Sequence, residues 1–286
     1  MYKIAILGCE NSHANSFLNI ILKDNLYTDI EVVGVYSCDE EAAKKINEEY
    51  GVYVAKSYDE FVGKVDGIVI TARHGDNHYK YAKPYLKSGI PMFVDKPITV
   101  SIENAENFKK DLIENNVRVS GGSTLKHPLA IKELKYAVEN STYGKTYGGH
   151  FRAPINMENE YGNFYFYSQH LIQMVCEVFG YFPCSAIAFK NNEKINCTLR
   201  YENCDVNLLY VDGNFKYMGQ ISCEKGAVLK DVSLDGCSEK EFAEFYNILS
   251  GGSMTQTYDE FFAPVYIMNA IDASLQSGKE EKIERG

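Results

Sequence analysis

A glycine, two helix-capping residues and a histidine follow the first apolar run of the chain, in "IAILGCENSHANSF" (residues 4–17). Gly8 ends the run where a tight turn is needed. Asn11 and Ser12 are residue types that accept hydrogen bonds from the first N–H groups of a helix. A strand, turn and helix of this kind presents backbone N–H groups and the positive end of a helix dipole to a phosphate. The G-x-G-x-x-G form of the loop has further glycines at positions 10 and 13, where the backbone must approach a pyrophosphate. Glu10 and His13 stand there instead. The Glu10 carboxylate would oppose a pyrophosphate, whereas His13 could reach one or shape the loop. The loop is expected to bind a dinucleotide still, in a shifted pose.

Other residues able to bind or react recur at regular intervals: Ser37 in "VYSCDEE", Thr71, Arg73, His74 and His78 in "TARHGDNHY", and Asp95-Lys96 in "FVDKP". The elements between them explain the spacing. Over residues 1–121, strand-like runs ("KIAIL", "IEVVGVYS", "DGIVITA", "PMFVDK", "VRVSGG") alternate with helix-like ones, and a short "VYVA" adds a further extended piece. The runs are apolar on both faces, as parallel strands covered by helices must be. Helix signals agree: Ser101 precedes Glu103 and Asn104, and Gly51 and Gly89 suit helix C-termini. The pattern predicts a doubly wound parallel sheet, which binds ligands at the carboxyl ends of its strands near the switch point. Gly8, Ser37, Thr71 and Asp95-Lys96 all fall at such ends. An acid at the second of these ends would bind a ribose 2′-hydroxyl. Ser37 stands there with Asp39 two residues on and no arginine beside it, leaving NAD and NADP both open.

From residue 122 the texture changes, and residues 122–286 are predicted to form a second, α+β domain. Two helix-like stretches, "HPLAIKELKYAVEN" and "FYFYSQHLIQMVCEVFG", are set among long alternating segments that suggest a mostly antiparallel open sheet. Asp212-Gly213-Asn214 reads as a hairpin turn, and a helix over "YDEFFAPVYIMNAIDASLQSG" closes the domain and could pack back on the first.

Composition narrows the function further. The 286 residues carry a net charge of −10, which argues against a nucleic-acid or anionic-membrane surface. No apolar stretch is long enough to span a membrane, and the first strand begins at once, so a cytoplasmic protein is expected. The eight cysteines lack metal-ligand spacing and read as buried or half-buried free thiols, with no metal site expected.

The segment "DGIVITARHGDNHYKYAKPYLKSGIPMFVDKP", with its acidic-Lys-Pro ending at Asp95-Lys96-Pro97, resembles the glucose-fructose oxidoreductase / inositol dehydrogenase / MocA family. "GGSTLKHP", "YGKTYGGHF", "GQISCEKGAVL" and "NAIDASLQSGKEEKI" resemble later family segments in the same order, so the likeness covers nearly the whole chain. It implies NAD(P)-dependent hydride transfer on a small sugar, cyclitol or related hydroxy or carbonyl compound. It also implies a homodimer or homotetramer formed through the C-terminal sheet. Lys96 matches the family lysine beside the nicotinamide, and His170 matches the acid/base. A carbinol losing hydride must also lose a proton, which a group titrating near neutrality takes best, while an ammonium steadies the developing alkoxide.

The chain departs from the family pattern four residues before His170, where an aspartate is usual and Phe166 stands. Tyr167, on nearly the same helix face as His170, is a candidate to complete the polar network or touch substrate, although aromatic runs more often pack. His74 and His78 border the expected cofactor cleft, with contact to the nicotinamide half implied by the resemblance, and His127 falls near the family's substrate mouth. His150 reads as structural, and no tight ligand spacing joins it to Glu158 or Glu160. Two other readings accompany the dehydrogenase: a non-catalytic nucleotide- or sugar-binding descendant, and a lyase or hydrolase using tightly held NAD.

Overall fold

The computed structural model describes residues 1–284; positions 285 and 286 of the expected second domain lie outside them. The N-terminal region runs β1 (Tyr2–Leu7), α1 (Ser12–Leu18), β2 (Ile30–Tyr36), α2 (Glu40–Tyr50), β3 (Gly67–Ile70), α3 (Asp76–Ala82), β4 (Met92–Asp95), α4 (Ile102–Glu114) and β5 (Val119–Gly122). Every strand pairing in this sheet is parallel, in the order β2-β1-β3-β4-β5, and Val35 bridges to Val54 beyond β2. The "VYVA" segment is thus a vestigial edge strand, and the switch point falls between β1 and β3. Asp39 caps α2, its Oδ1 accepting from Ala42 N at 3.0 Å, and Gly51 ends that helix in the left-handed region.

The chain continues through α5 (Leu129–Glu139), β6 (Thr146–Ile155), α6 (Phe164–Phe179), β7 (Ser185–Asn191), β8 (Lys194–Arg200), β9 (Asp205–Asp212), β10 (Met218–Cys223) and β11 (Gly226–Asp231). It ends in α7 (Cys237–Leu249), α8 (Tyr258–Ser277) and β12 (Glu281–Lys282). The second sheet is ordered β11-β10-β6-β9-β8-β7-β12, with β6 and β9 parallel and every other pairing antiparallel. The hairpin expected at Asp212–Asn214 does not form. The long β6 enters between β9 and β10, hydrogen-bonding to both, so the turn at Gly213 leads to a crossover instead. Glu224-Lys225 is the two-residue turn of a true hairpin, joining β10 to β11.

Two compact units emerge, and they do not divide the chain at a single point. Met1–Thr99, Glu103–Gly122 and Ser238–Phe261 form one; Val100–Ile102, Ser123–Cys237 and Phe262 onward form the other. The first unit therefore includes most of α7, which no motif signalled. Phe242, Phe245, Ile248 and Leu249 on that helix join Ile4, Ile6, Phe17 and Phe93 in one buried core, with Phe17 edge-on to Phe93 at 5.0 Å between ring centres. In the second unit, Ile195, Cys197 and Leu199 of β8 and Val206, Leu208 and Tyr210 of β9 are buried, while their neighbours in sequence are at least partly accessible. One face of that sheet is core and the other is open.

Two of the eight free thiols, Cys38 and Cys184, are exposed, contrary to the expectation that all would be covered, because Cys38 lies just past β2 and Cys184 just before β7, outside the strands. Among the described residues, no helix is long and apolar enough to cross a membrane, and no group of three or more His, Cys, Asp or Glu could hold a metal ion.

Candidate functional site

In the first unit the site begins at Gly8. Its φ is +88°, and a Cβ there would lie 2.3 Å from the backbone nitrogen of Ala72, so only glycine allows β1 to turn so close to the chain leaving β3. Thr71 sits beneath this turn, fully buried, with its hydroxyl donating to the Gly8 carbonyl at 3.0 Å. Thr71 thus braces the loop. Asn11 caps α1, its Oδ1 accepting from His13 N at 3.3 Å and from the Ser12 hydroxyl at 3.4 Å. The other end of the same amide donates to Asp95 Oδ2 at 2.9 Å.

Asp95 is fully buried at the tip of β4, where an unpaired carboxylate would be costly. Besides Asn11 it accepts from the Lys96 backbone at 2.7 Å and lies 3.0 Å from His13 Nδ1. Burial alone would lower the basicity of His13, but the charge of Asp95 and its hydrogen bond outweigh this and hold the imidazole up to about 9. Burial likewise works against ionised Asp95, and the positive charge of His13 overcomes it, leaving the carboxyl below its ordinary value. The residue in the third glycine position is therefore a cation at neutral pH, paired with the carboxylate at the tip of β4.

Lys96 follows Asp95 and is 5% exposed. Burial lowers its basicity; Asp95 and Glu241 oppose that effect and Arg73 adds to it. Glu241, fully buried, comes from α7. The sequence reading missed it, since nothing near it resembles a motif; the apolar spacing of Phe242, Phe245 and Leu249 was the available signal for its helix.

Glu10 is held on the other side of the turn. Its Oε2 accepts from the Ser37 hydroxyl at 2.6 Å and its Oε1 from Arg73 N at 3.2 Å, so the carboxylate spans the tips of β2 and β3. The Ser37 oxygen also accepts from Asp39 N at 3.0 Å. His74 accepts from Asp76 N through Nδ1 at 3.3 Å. His78, expected at the cofactor, is instead fully buried. Its Nδ1 lies 2.8 Å from the Pro97 carbonyl and its Nε2 2.7 Å from that of Ala72. With both nitrogens engaged by backbone, the ring clamps the exit of β3 to the turn after Lys96 and has none left for a ligand.

In the second unit, α6 carries His170, which is 7% exposed, with Nδ1 2.7 Å from Ser123 Oγ. Ser123 begins the short turn after β5 and also accepts from Leu125 N at 3.2 Å. This hydroxyl, inside the "GGSTLKHP" segment but not singled out there, is the hydrogen-bond partner of the imidazole, whereas Phe166 has no polar group to offer it. Phe166 packs against Tyr161 and Tyr167, each at 5.0 Å between ring centres. Tyr167 lies edge-on to His170 at 5.4 Å and Tyr217 edge-on at 6.4 Å. His127 is buried, and burial lowers the basicity of the half-buried His150 on β6.

These residues suit a dinucleotide. The turn at Gly8 has no room for a side chain, a carboxylate stands at the β2 tip, and a buried lysine follows β4. Residues 2–123 match the model of the Gfo/Idh/MocA family, described as an oxidoreductase family with an NAD-binding Rossmann fold. That match spans the five-stranded parallel sheet and its helices. The chain as a whole has the fold of several solved proteins. The myo-inositol 2-dehydrogenase of Lactobacillus plantarum is 16% identical with a TM-score of 0.86, each chain covering 99% of the other. The myo-inositol dehydrogenase of Corynebacterium glutamicum is 17% identical with a TM-score of 0.84 over the full length of both chains. GenD2 of gentamicin A biosynthesis, solved in complex with NAD, is 12% identical with a TM-score of 0.85, over 99% of this chain and 97% of that one. No curated protein matches the chain in sequence.

Proposed function

We propose that the protein transfers a hydride between NAD(P) and a carbon bearing a hydroxyl or carbonyl group in a small polyol, cyclitol or sugar. The observation that carries this reading is Lys96, an ammonium nine-tenths buried at the tip of β4 and flanked by Asp95. Such a cation, withdrawn from water, stabilises an alkoxide far better than a surface lysine does. The dinucleotide, when bound, supplies the hydride acceptor or donor. Lys96 then holds the substrate oxygen, and His170 takes or returns its proton. Ser123 serves this exchange because a hydroxyl can accept from Nδ1–H while Nε2 is the basic nitrogen. Tyr167 lines the substrate beside His170. The inositol dehydrogenases among the structural relatives support a cyclitol as the first substrate to try.

The test is NADH or NADPH formation, followed at 340 nm, with a panel of inositols and sugars. Lys96→Met and His170→Asn are each expected to lower kcat by about 10²- to 10⁴-fold. Tyr167→Phe should raise KM several-fold; full retention of turnover and KM would remove Tyr167 from the site. If no polyol is oxidised and no carbonyl partner reduced, the assignment fails. Phe166, standing where relatives of the pattern carry a carboxylate, favours a second reading, a binding protein without turnover. Sugar binding by calorimetry together with silence at 340 nm would select it.

A further inference from the structure

The acid that follows β2, Asp39, is engaged as the N-cap of α2, its Oδ1 accepting from Ala42 N. The carboxylate at the β2 tip comes instead from the glycine loop. Glu10 Oε2 lies 2.6 Å from the hydroxyl of Ser37, the first residue after β2, and Oε1 is fixed by Arg73 N from the segment after β3. Two hydrogen bonds from different strand tips hold this group in one orientation. A carboxylate has about four acceptor positions, so each oxygen keeps one after these two bonds.

We propose that Glu10 is the residue that recognises the adenosine ribose. Its carboxylate accepts from the 2′- and 3′-hydroxyls and repels a 2′-phosphate, making the site selective for NAD over NADP. This rests on the dinucleotide reading above. In a typical dinucleotide fold the selecting acid sits about 20 residues after the glycine loop; here the loop itself supplies it, from a position normally held by glycine. The same substitution that breaks the loop pattern therefore supplies what the β2 tip lacks. One neighbouring feature works in the opposite direction. A cavity of about 690 Å³ beside Ser37 is lined by Lys44 and Lys56 among others, and an ammonium there would attract a 2′-phosphate.

Calorimetric titration of the whole protein with NAD⁺, NADP⁺, ADP-ribose and 2′-phospho-ADP-ribose decides between the carboxylate and the lysines. The unphosphorylated form of each pair is expected to bind about 10- to 100-fold more tightly. Glu10→Gln keeps the size of the side chain and should shrink that ratio at least ~10-fold. Asp39→Asn, still a good cap, should leave it unchanged. Equal or reversed preference in the wild type, or a ratio indifferent to Glu10→Gln, overturns the proposal while leaving the oxidoreductase standing. A ratio that collapses in Asp39→Asn instead also overturns it. Binding of none of the four ligands overturns both. Should Glu10→Gln fail to fold, as read by circular dichroism, the wild-type ratios for the two ADP-ribose fragments still decide.

Discussion

His13 shows how a residue in a glycine position can be made useful by one buried neighbour. Its imidazole is 3.0 Å from Asp95, whose charge holds it protonated up to about pH 9. Because the folded value lies above the ordinary 6.5, this contribution to stability is complete below pH 6.5 and is lost as pH rises through about 9. The two protonation states differ by at most about 3 kcal/mol in folding free energy. Wild type is thus expected to lose melting temperature between pH 7 and 10 more steeply than His13→Gln. The His13 ring proton, followed by NMR, should titrate near pH 9, and a midpoint near 6.5 would remove the ion pair. At the same scale Ser123 is the partner of His170, a pairing made visible only by the fold, since 47 residues separate the two.

The strand tips and the turns that leave them are the elements that build the proposed cofactor half. The exit of β3 is bonded twice: Thr71 holds Gly8, and His78 holds the turn after Lys96. Replacing His78 with alanine leaves buried carbonyls without that ring and opens a cavity, which should destabilise the protein by about 2–4 kcal/mol in urea unfolding. A variant as stable as the wild type would show that the clamp carries nothing. Helix α7 contributes on the same scale, bringing Phe242 and Phe245 to the core and Glu241 toward Lys96 and His13. Its residues lie more than a hundred positions after the strands they cover, and so no local pattern ties them to that sheet.

At the scale of the whole molecule, the seven-stranded sheet buries one face and leaves the other open. An open face of that size suits pairing with a second copy, as the family resemblance implies. Light scattering coupled to size exclusion is expected to give a dimer or tetramer, and a monomer at high protein concentration would refute it. The negative charge of the chain, −10, is consistent with a small-molecule substrate and with no nucleic-acid partner.

Local sequence carried much of what depends on neighbours along the chain, although the β10–β11 hairpin and α7 went unread. Apolar runs on both faces marked the parallel strands, glycines and capping residues marked the helix ends, and Asp95-Lys96-Pro97 marked the tip of β4. Only tertiary structure decided which residues met across the chain. It paired His13 with Asp95, seated Glu10 on Ser37, withdrew His78 into the backbone, and slid β6 between β9 and β10 where a hairpin was expected. The reason is physical: periodicity and capping act over a few residues, whereas the compensation of a buried charge and the register of a sheet are satisfied by whichever groups the fold brings into reach.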